Sequence, residues 1–226
     1  MSGSRPPAGG PAHHSGRANR PLGNAPDVAA FYATRASLVE LAGGDAEADL
    51  LQAERLAGAD RNIRIPIVRY YQQKRRWSDA LAASERARER FPSDFNLDLL
   101  HVRSLVNLDR AAEAIAFLDK THVLPSENSR ESHQLYVQAH TVAAFTAIES
   151  SRFDGAYAHL EAALEWPEHL GQGKPYDPDE RLIRFLMAWV DERRGRSTQS
   201  PARGNLPPAD PKRADDLDQK LLRRAL

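Results

Sequence analysis

The amino-acid sequence predicts an all-α chain, a right-handed α-α solenoid of about four helical hairpins plus a terminal capping helix. Three observations carry that expectation. Ala46, Ala80 and Ala114 lie 34 positions apart, an interval that belongs to stacked helical hairpins. Two further columns move in step, Leu50, Ser84 and Leu118 and then Ala53, Ala87 and Thr121, so small and apolar residues recur at i, i+4 and i+7 on the second helix of each unit. Gly43-Gly44 falls where the first helix has to end, and Pro92 and Pro125 fall just beyond second helices.

The elements follow in order. Residues 1–26 combine Gly9-Gly10-Pro11, further prolines and His13-His14 with almost no large apolar side chains, and are expected to stay disordered because burial cannot offset ordering entropy there. A helical domain is expected over residues 27–195. Its first helix opens at Asp27 as N-cap, carries Phe31, Leu38 and Leu41 at helical spacing and closes at Gly43-Gly44; the second runs from about Asp45 to Leu56. Hairpin two pairs Asn62 to Gln73 with Ser78 to Arg90, with Ser78 as N-cap and Pro92 beyond the end; Pro66 lies inside its first helix, where a missing N–H shifts the start or kinks the axis. Hairpin three pairs Asn96 to Leu108 with Ala111 to Thr121.

The period then slips. Ala156 is the next equivalent of Ala114 but lies 42 residues on, so an insertion is expected around Ser126 to Arg130 and a longer helix after it. Hairpin four is Ser132 to Glu149 with Asp154 to Glu165. A last helix, Asp179 to about Arg194, puts Leu182, Ile183, Leu186, Trp189 and Val190 on one stripe, as a helix covering the final open face would. Residues 196–211 are rich in Ser, Gly and Pro and read as a flexible linker. Residues 212–226 then offer a short amphipathic helix through Leu217, Leu221 and Leu222, too short to be stable alone.

Composition excludes several classes of function. The 31 Lys and Arg balance the 31 Asp and Glu, so no global field favours nucleic acid or an anionic membrane. With no cysteine there are no disulfides, no thiolate nucleophile and no thiolate metal site. The N-terminal arm lacks the apolar core of a signal peptide, and no later stretch approaches the roughly 18 apolar residues of a spanning helix, so a cytoplasmic protein is expected.

Tyr71, Trp77, Ala80, Ala87 and Pro92 resemble a tetratricopeptide repeat, with an aromatic on the first helix, an aromatic at the turn, small residues on the second helix and a closing proline. Two stretches carry a sharper likeness, Leu124-Pro125-Ser126-Glu127 and the run from Trp166-Pro167-Glu168 through Gly171-Gln172-Gly173-Lys174 to Tyr176-Asp177. Together with Phe31-Tyr32, Arg35-Ala36 and the Leu135-Tyr136 to His140 segment, they resemble the C-terminal repeat region of large bacterial proteins whose N-terminal part is a sugar-mutarotase-like domain of unknown function. The likeness covers about residues 27–195. It implies a bacterial origin and a carbohydrate-related setting; the mutarotase-like part itself has no counterpart here, so its chemistry does not carry over.

Arg35, Arg69 and Arg103 are also 34 apart, at the position that faces the concave groove in tetratricopeptide arrays. Such a ladder suits a ligand bearing carboxylates, because each guanidinium fork grips one with paired hydrogen bonds. Gln73 and Asn107 lie one helical turn further on and are placed to bond a ligand's backbone. The peptide clamp known in this repeat class uses Lys and Asn at positions that here hold Ile65, Pro66 and Leu99, so its chaperone-tail ligand is not expected.

Other motifs point to structure. Gly171-Gln172-Gly173-Lys174 has neither the glycine spacing nor the Ser or Thr of a phosphate loop, and Pro175 follows the lysine. A tight loop is expected instead, with Gly171 and Gly173 at left-handed angles and Trp166, Pro167 and Tyr176 pinning it. Glu165, Glu168, Asp177, Asp179 and Glu180 cluster there, but Asp179 and Glu180 suit a helix N-terminus. His133 and His140 stand seven apart, about 10 Å along a helix, too far to share a metal. They are expected to pack or hydrogen-bond between helices.

The expected function is therefore a non-catalytic protein- or peptide-binding scaffold with its ligand in the concave groove, without cofactor or metal. The alternative is an accessory or enzymatic unit of carbohydrate metabolism acting through Trp166, Glu168, Gly171, Gly173, Lys174 and Tyr176.

Overall fold

A computed structural model describes residues 26–58, 60–92, 94–125 and 130–194. The N-terminal arm with His13-His14, the insertion at residues 126–129, the linker 196–211 and the C-terminal segment 212–226 lie outside the described residues. Within them all regular structure is helical: α1 Pro26–Leu41, α2 Glu47–Leu56, α3 Arg61–Gln73, α4 Trp77–Arg90, α5 Phe95–Asn107, α6 Ala111–Leu118, α7 Arg130–Glu149, α8 Phe153–Ala162 and α9 Arg181–Arg193, with one 3-10 turn, Glu168–Leu170.

Helices pair as α1 with α2, α3 with α4, α5 with α6 and α7 with α8, and each second helix also packs on the helix that follows it. The first helices touch in succession, α1 on α3, α3 on α5 and α5 on α7, while α9 packs on α8. The alanine column explains this closeness. Ala46, Ala80, Ala114 and Ala156 are all buried, as are Leu50, Ser84, Leu118 and Leu160 one turn on and Ala53, Ala87, Thr121 and Ala163 beyond them. A bare methyl group at the contact lets two helix axes approach to roughly 8–10 Å. Helix α5 sits between two halves of the core, with Leu97 and Leu100 in the N-terminal cluster and Leu99, Val102, Leu105 and Val106 in the C-terminal one.

A turn device repeats with the helices. Arg75, Asp109 and Ser151 all have positive φ, at 56°, 59° and 56°. The next residue in each case returns its N–H to the carbonyl five back: Arg76 to Tyr71 at 2.9 Å, Arg110 to Leu105 at 3.0 Å and Arg152 to Ala147 at 2.8 Å. Each first helix thus ends in a left-handed residue whose closing bond satisfies an orphan carbonyl. The 42-residue interval is accommodated upstream of that turn, since α7 has 20 residues against 13 in each of α3 and α5.

Several expected boundaries shift. Helix α1 begins at Pro26, whose fixed φ suits a first helical position, so Asp27 lies inside the helix and is not its cap. Helix α4 begins at Trp77 after Arg76, which places Ser78 in the first turn and not at the cap. Caps occur instead at Asp60 and Asp94, whose side chains accept from the N–H of Asn62 at 2.9 Å and Asn96 at 3.0 Å. Helix α3 runs unbroken through Pro66. In α1 the core-facing residues are Ala29 and Ala36 with Tyr32, Ala33 and Val39, whereas Phe31, Leu38 and Leu41 face outward. Helix α6 ends at Leu118, short of Thr121, because the segment through Pro125 leaves the helix and Val123 N–H bonds the His169 carbonyl at 2.9 Å.

Candidate functional site: the arginine row and the α7–α9 cleft

Arg35, Arg69 and Arg103 occupy one register of α1, α3 and α5, the helices that touch in succession. None is spent in the core. Arg35 donates through Nε and Nη2 to both carboxylate oxygens of Asp49, and its guanidinium lies 5.0 Å from the Tyr32 ring centre and 5.7 Å from that of Phe31. The hydrogen bonds from Arg35 hold the Asp49 carboxyl below its ordinary range. Arg69 is exposed and makes no ion pair among the described residues. Arg103 reaches Glu131 of α7 at 3.1 Å, while its Nε is buried without a hydrogen-bond partner among the described atoms.

The polar residues expected beside the row divide. Gln73 is exposed. Asn107 is half-buried and donates to the Arg103 carbonyl at 2.9 Å, which ties its amide to its own helix. Gln72 turns inward and donates to the Leu100 carbonyl at 2.8 Å and Ser104 Oγ at 3.0 Å, coupling α3 to α5. Of the clamp positions, Leu99 is buried, Ile65 half-buried and Pro66 exposed.

The Trp166–Asp177 loop is held at its start. The His133 ring stacks on Trp166 at 3.5 Å and 11°, and its Nε2 donates to the Glu165 carbonyl at 3.0 Å. Ser132 Oγ donates to the Leu170 carbonyl at 2.6 Å. Gly171 has φ +73°, and a Cβ there would lie 2.5 Å from the Val123 carbonyl oxygen, so only glycine fits. Gly173 is not among the positive-φ glycines, and Tyr176 is fully exposed; neither fastens the loop, because beyond Gly171 the chain is held by Lys174 pairing with Glu180 at 2.9 Å.

Between this loop, α7 and the start of α9 lies a cleft of about 410 Å³, lined by Arg130, His133, Gln134, Trp166, Gln172 and Asp177 among others. Of the expected loop residues only Trp166 lines it; Glu168 is exposed on the 3-10 turn, and Gly171, Gly173, Lys174 and Tyr176 stand outside. Asp179 and Glu180 are engaged with Arg181, Lys174 and Arg184.

No family model, curated protein or solved structure matches the chain.

The remaining polar groups in the core serve packing. Ser84 Oγ donates to the Leu81 carbonyl at 2.7 Å and meets His101 Nδ1 at 3.0 Å, both side chains being buried. His140 and His159 approach Nδ1 to Nδ1 at 3.3 Å, joining α7 to α8. Burial pushes His101 and His140 down to about 4 and lowers His133 and His159 as well. Thus His133 and His140 do bond between elements, as their spacing suggested. Among the described residues no group of three or more His, Asp or Glu could hold a metal ion, and no helix is long and apolar enough to cross a membrane. The repeated turn arginines, Arg76, Arg110 and Arg152, and the caps Asp60 and Asp94 were missed from sequence, although the two caps and the first two arginines keep the 34-residue interval.

Proposed function

We propose that the chain is a non-catalytic protein- or peptide-binding scaffold, wound as a right-handed solenoid of tetratricopeptide-like hairpins, that takes acidic ligands along the face made by its successive first helices. The observation that carries this reading is the arginine row: three guanidinium groups at one register on three helices that touch in succession, all outside the core. Each fork matches a carboxylate with two hydrogen bonds. Arg69 is uncommitted among the described residues, and the Arg35–Asp49 and Arg103–Glu131 pairs are solvent-accessible. Such pairs are worth at most about 1 kcal/mol, so a ligand carboxylate can exchange for the internal one. Gln73 adds an amide beside Arg69. The ligand is a protein segment because the row runs along the stack, where a chain with acidic side chains at intervals meets one arginine after another.

The test is selection of binders from a random peptide library on the full chain, repeated on the Arg35→Ala/Arg69→Ala/Arg103→Ala variant. Selected peptides should be enriched in Asp and Glu and should lose at least tenfold in affinity on the variant, whose helical signal and melting temperature stay near the parent's. Equal binding to both proteins would remove the row as the ligand site.

A saccharide ligand in the cleft is the second reading, favoured by one observation: an indole ring, two side-chain amides from Gln134 and Gln172, and the Asp177 carboxylate line the same space. Calorimetric titration with a saccharide panel tests it, with Gln134→Ala and Asp177→Ala expected to abolish any heat. No heat from any sugar ends that reading.

A further inference from the structure

Helix α1 carries a second feature that the arginine row does not use. Val28, Phe31, Leu38 and Leu41 are exposed to 44%, 59%, 62% and 86%, and they follow one another at helical spacing on one side of the helix, with Arg35 among them. The end helices of repeat arrays ordinarily turn a polar face outward. At the opposite end α9 is fastened by Arg194, which pairs with Asp154 and lies over the Tyr157 ring. No such cover lies over the α1 stripe among the described residues.

We propose that this stripe is the docking surface of residues 215–226 of the same chain, which lie outside the described residues. The proposal rests on the reading of the first-helix row as the ligand face, because the start of the segment has the chemistry that face selects. Asp215, Asp216 and Asp218 supply three carboxylates there, the cations Lys220, Arg223 and Arg224 follow only further on, and Leu217, Leu221 and Leu222 fall at i, i+4 and i+5, on one side of any helix formed there. The acidic group complements Arg69, exposed on the neighbouring helix α3 at the register of Arg35, and the leucines complement Val28, Phe31, Leu38 and Leu41. Reach is no obstacle. The chain from Arg194 to Asp215 spans up to ~70 Å when extended, whereas the step from α9 onto the stack and the three helix-to-helix steps from α7 to α1 together cover ~40 Å. Tethering also raises the segment's local concentration toward the millimolar range, so a weak contact suffices. Docked there, the segment competes in cis with an outside acidic ligand.

The absence of cysteine makes the test direct, because any introduced pair is the only pair. Thr34 is exposed on α1, flanked along the helix by Phe31 and Leu38. In the full-length chain, Thr34→Cys with Ala225→Cys should be joined within one chain by a short bis-maleimide at least tenfold faster than a control pair, Ala158→Cys with Ala225→Cys, on the exposed side of α8. Adding Leu217→Asp, Leu221→Asp and Leu222→Asp should bring the rate down to the control's. Equal rates for the two pairs overturn the proposal, as does a fast rate that survives the three Asp substitutions. Concentration-dependent dimers joined through Thr34→Cys alone also overturn it, in favour of a second copy on the stripe. The two readings fail separately: selected peptides that bind through the arginines while the cross-link stays slow overturn only the docking. A fast cross-link with peptide binding insensitive to the arginines supports the docking and removes the ligand-face reading.

Discussion

Gly171 shows how much a single residue can hold. Its left-handed φ and the Val123 carbonyl 2.5 Å from any Cβ there leave no room for alanine, and the backbone just before it is fixed by Val123 N–H on the His169 carbonyl and Ser132 on the Leu170 carbonyl. Gly171→Ala should therefore destabilise the fold by at least ~2 kcal/mol, read as a lower urea midpoint at unchanged m-value. Ser151 presents the opposite case. It is exposed and sits at φ 56°, where a side chain costs ~1 kcal/mol relative to glycine, so Ser151→Gly should raise stability by ~0.5–1 kcal/mol in the same assay. At this scale the sequence was partly readable. A glycine needed for a turn was visible at Gly171, but Gly173 carries the same letter without the same φ, because neighbouring carbonyls and not residue type decide which glycine must bend. Arg75, Asp109 and Ser151 share a backbone state with nothing in common among their side chains, so only their spacing betrays them.

Among the elements, the buried alanines set how closely helices approach, and this was the most readable feature of the chain because a 34-residue interval survives unrelated substitutions around it. Ala80→Leu should overpack the α3–α4 contact and lower stability by about 1–3 kcal/mol, checked by thermal unfolding against an exposed control such as Ala48→Leu. The Asp60 and Asp94 caps should each contribute ~1 kcal/mol, with Asp94→Ala the more costly of the two because its carboxylate also pairs with Arg61 at the start of α3, checked by urea unfolding of each single variant. Helix α1 was legible as a helix but not in its packed side. Its apolar residues lie all round the helix, so periodicity could not decide which side packs; the alanines do, since Ala29 and Ala36 admit α2 closely and turn Phe31 and Leu38 outward. The extra length in α7 was anticipated from the slipped period, whereas its stacking of His133 on Trp166 was not, because that contact joins residues 33 apart through a fold the periodicity does not describe.

For the molecule as a whole, the buried histidines set a pH dependence with a definite sign. His101 and His140 are pushed down to about 4 by burial, against about 6.5 in an unfolded chain. Between those values the unfolded state binds more protons, so stability is fully present above pH ~6.5 and is lost as pH falls toward 4. At pH 5 each histidine contributes roughly 2 kcal/mol to that loss, and the melting temperature should drop by several degrees between pH 7.5 and 5.0. A flat profile would mean that the two rings are solvated. Binding should weaken as salt rises, since the arginine row is exposed and its attraction is screened beyond ~8 Å at physiological ionic strength. The ligand face itself was legible only as a spacing of three arginines; that two of them already hold Asp49 and Glu131 depends on packing between helices, which a single repeat register does not encode. The most direct measurement is hydrogen exchange on the full chain with and without a selected acidic peptide. The account predicts slowed exchange in α1, α3 and α5 around Arg35, Arg69 and Arg103, with α2, α4, α6 and α8 unchanged. Protection confined to the second helices or to the Trp166 cleft would contradict it.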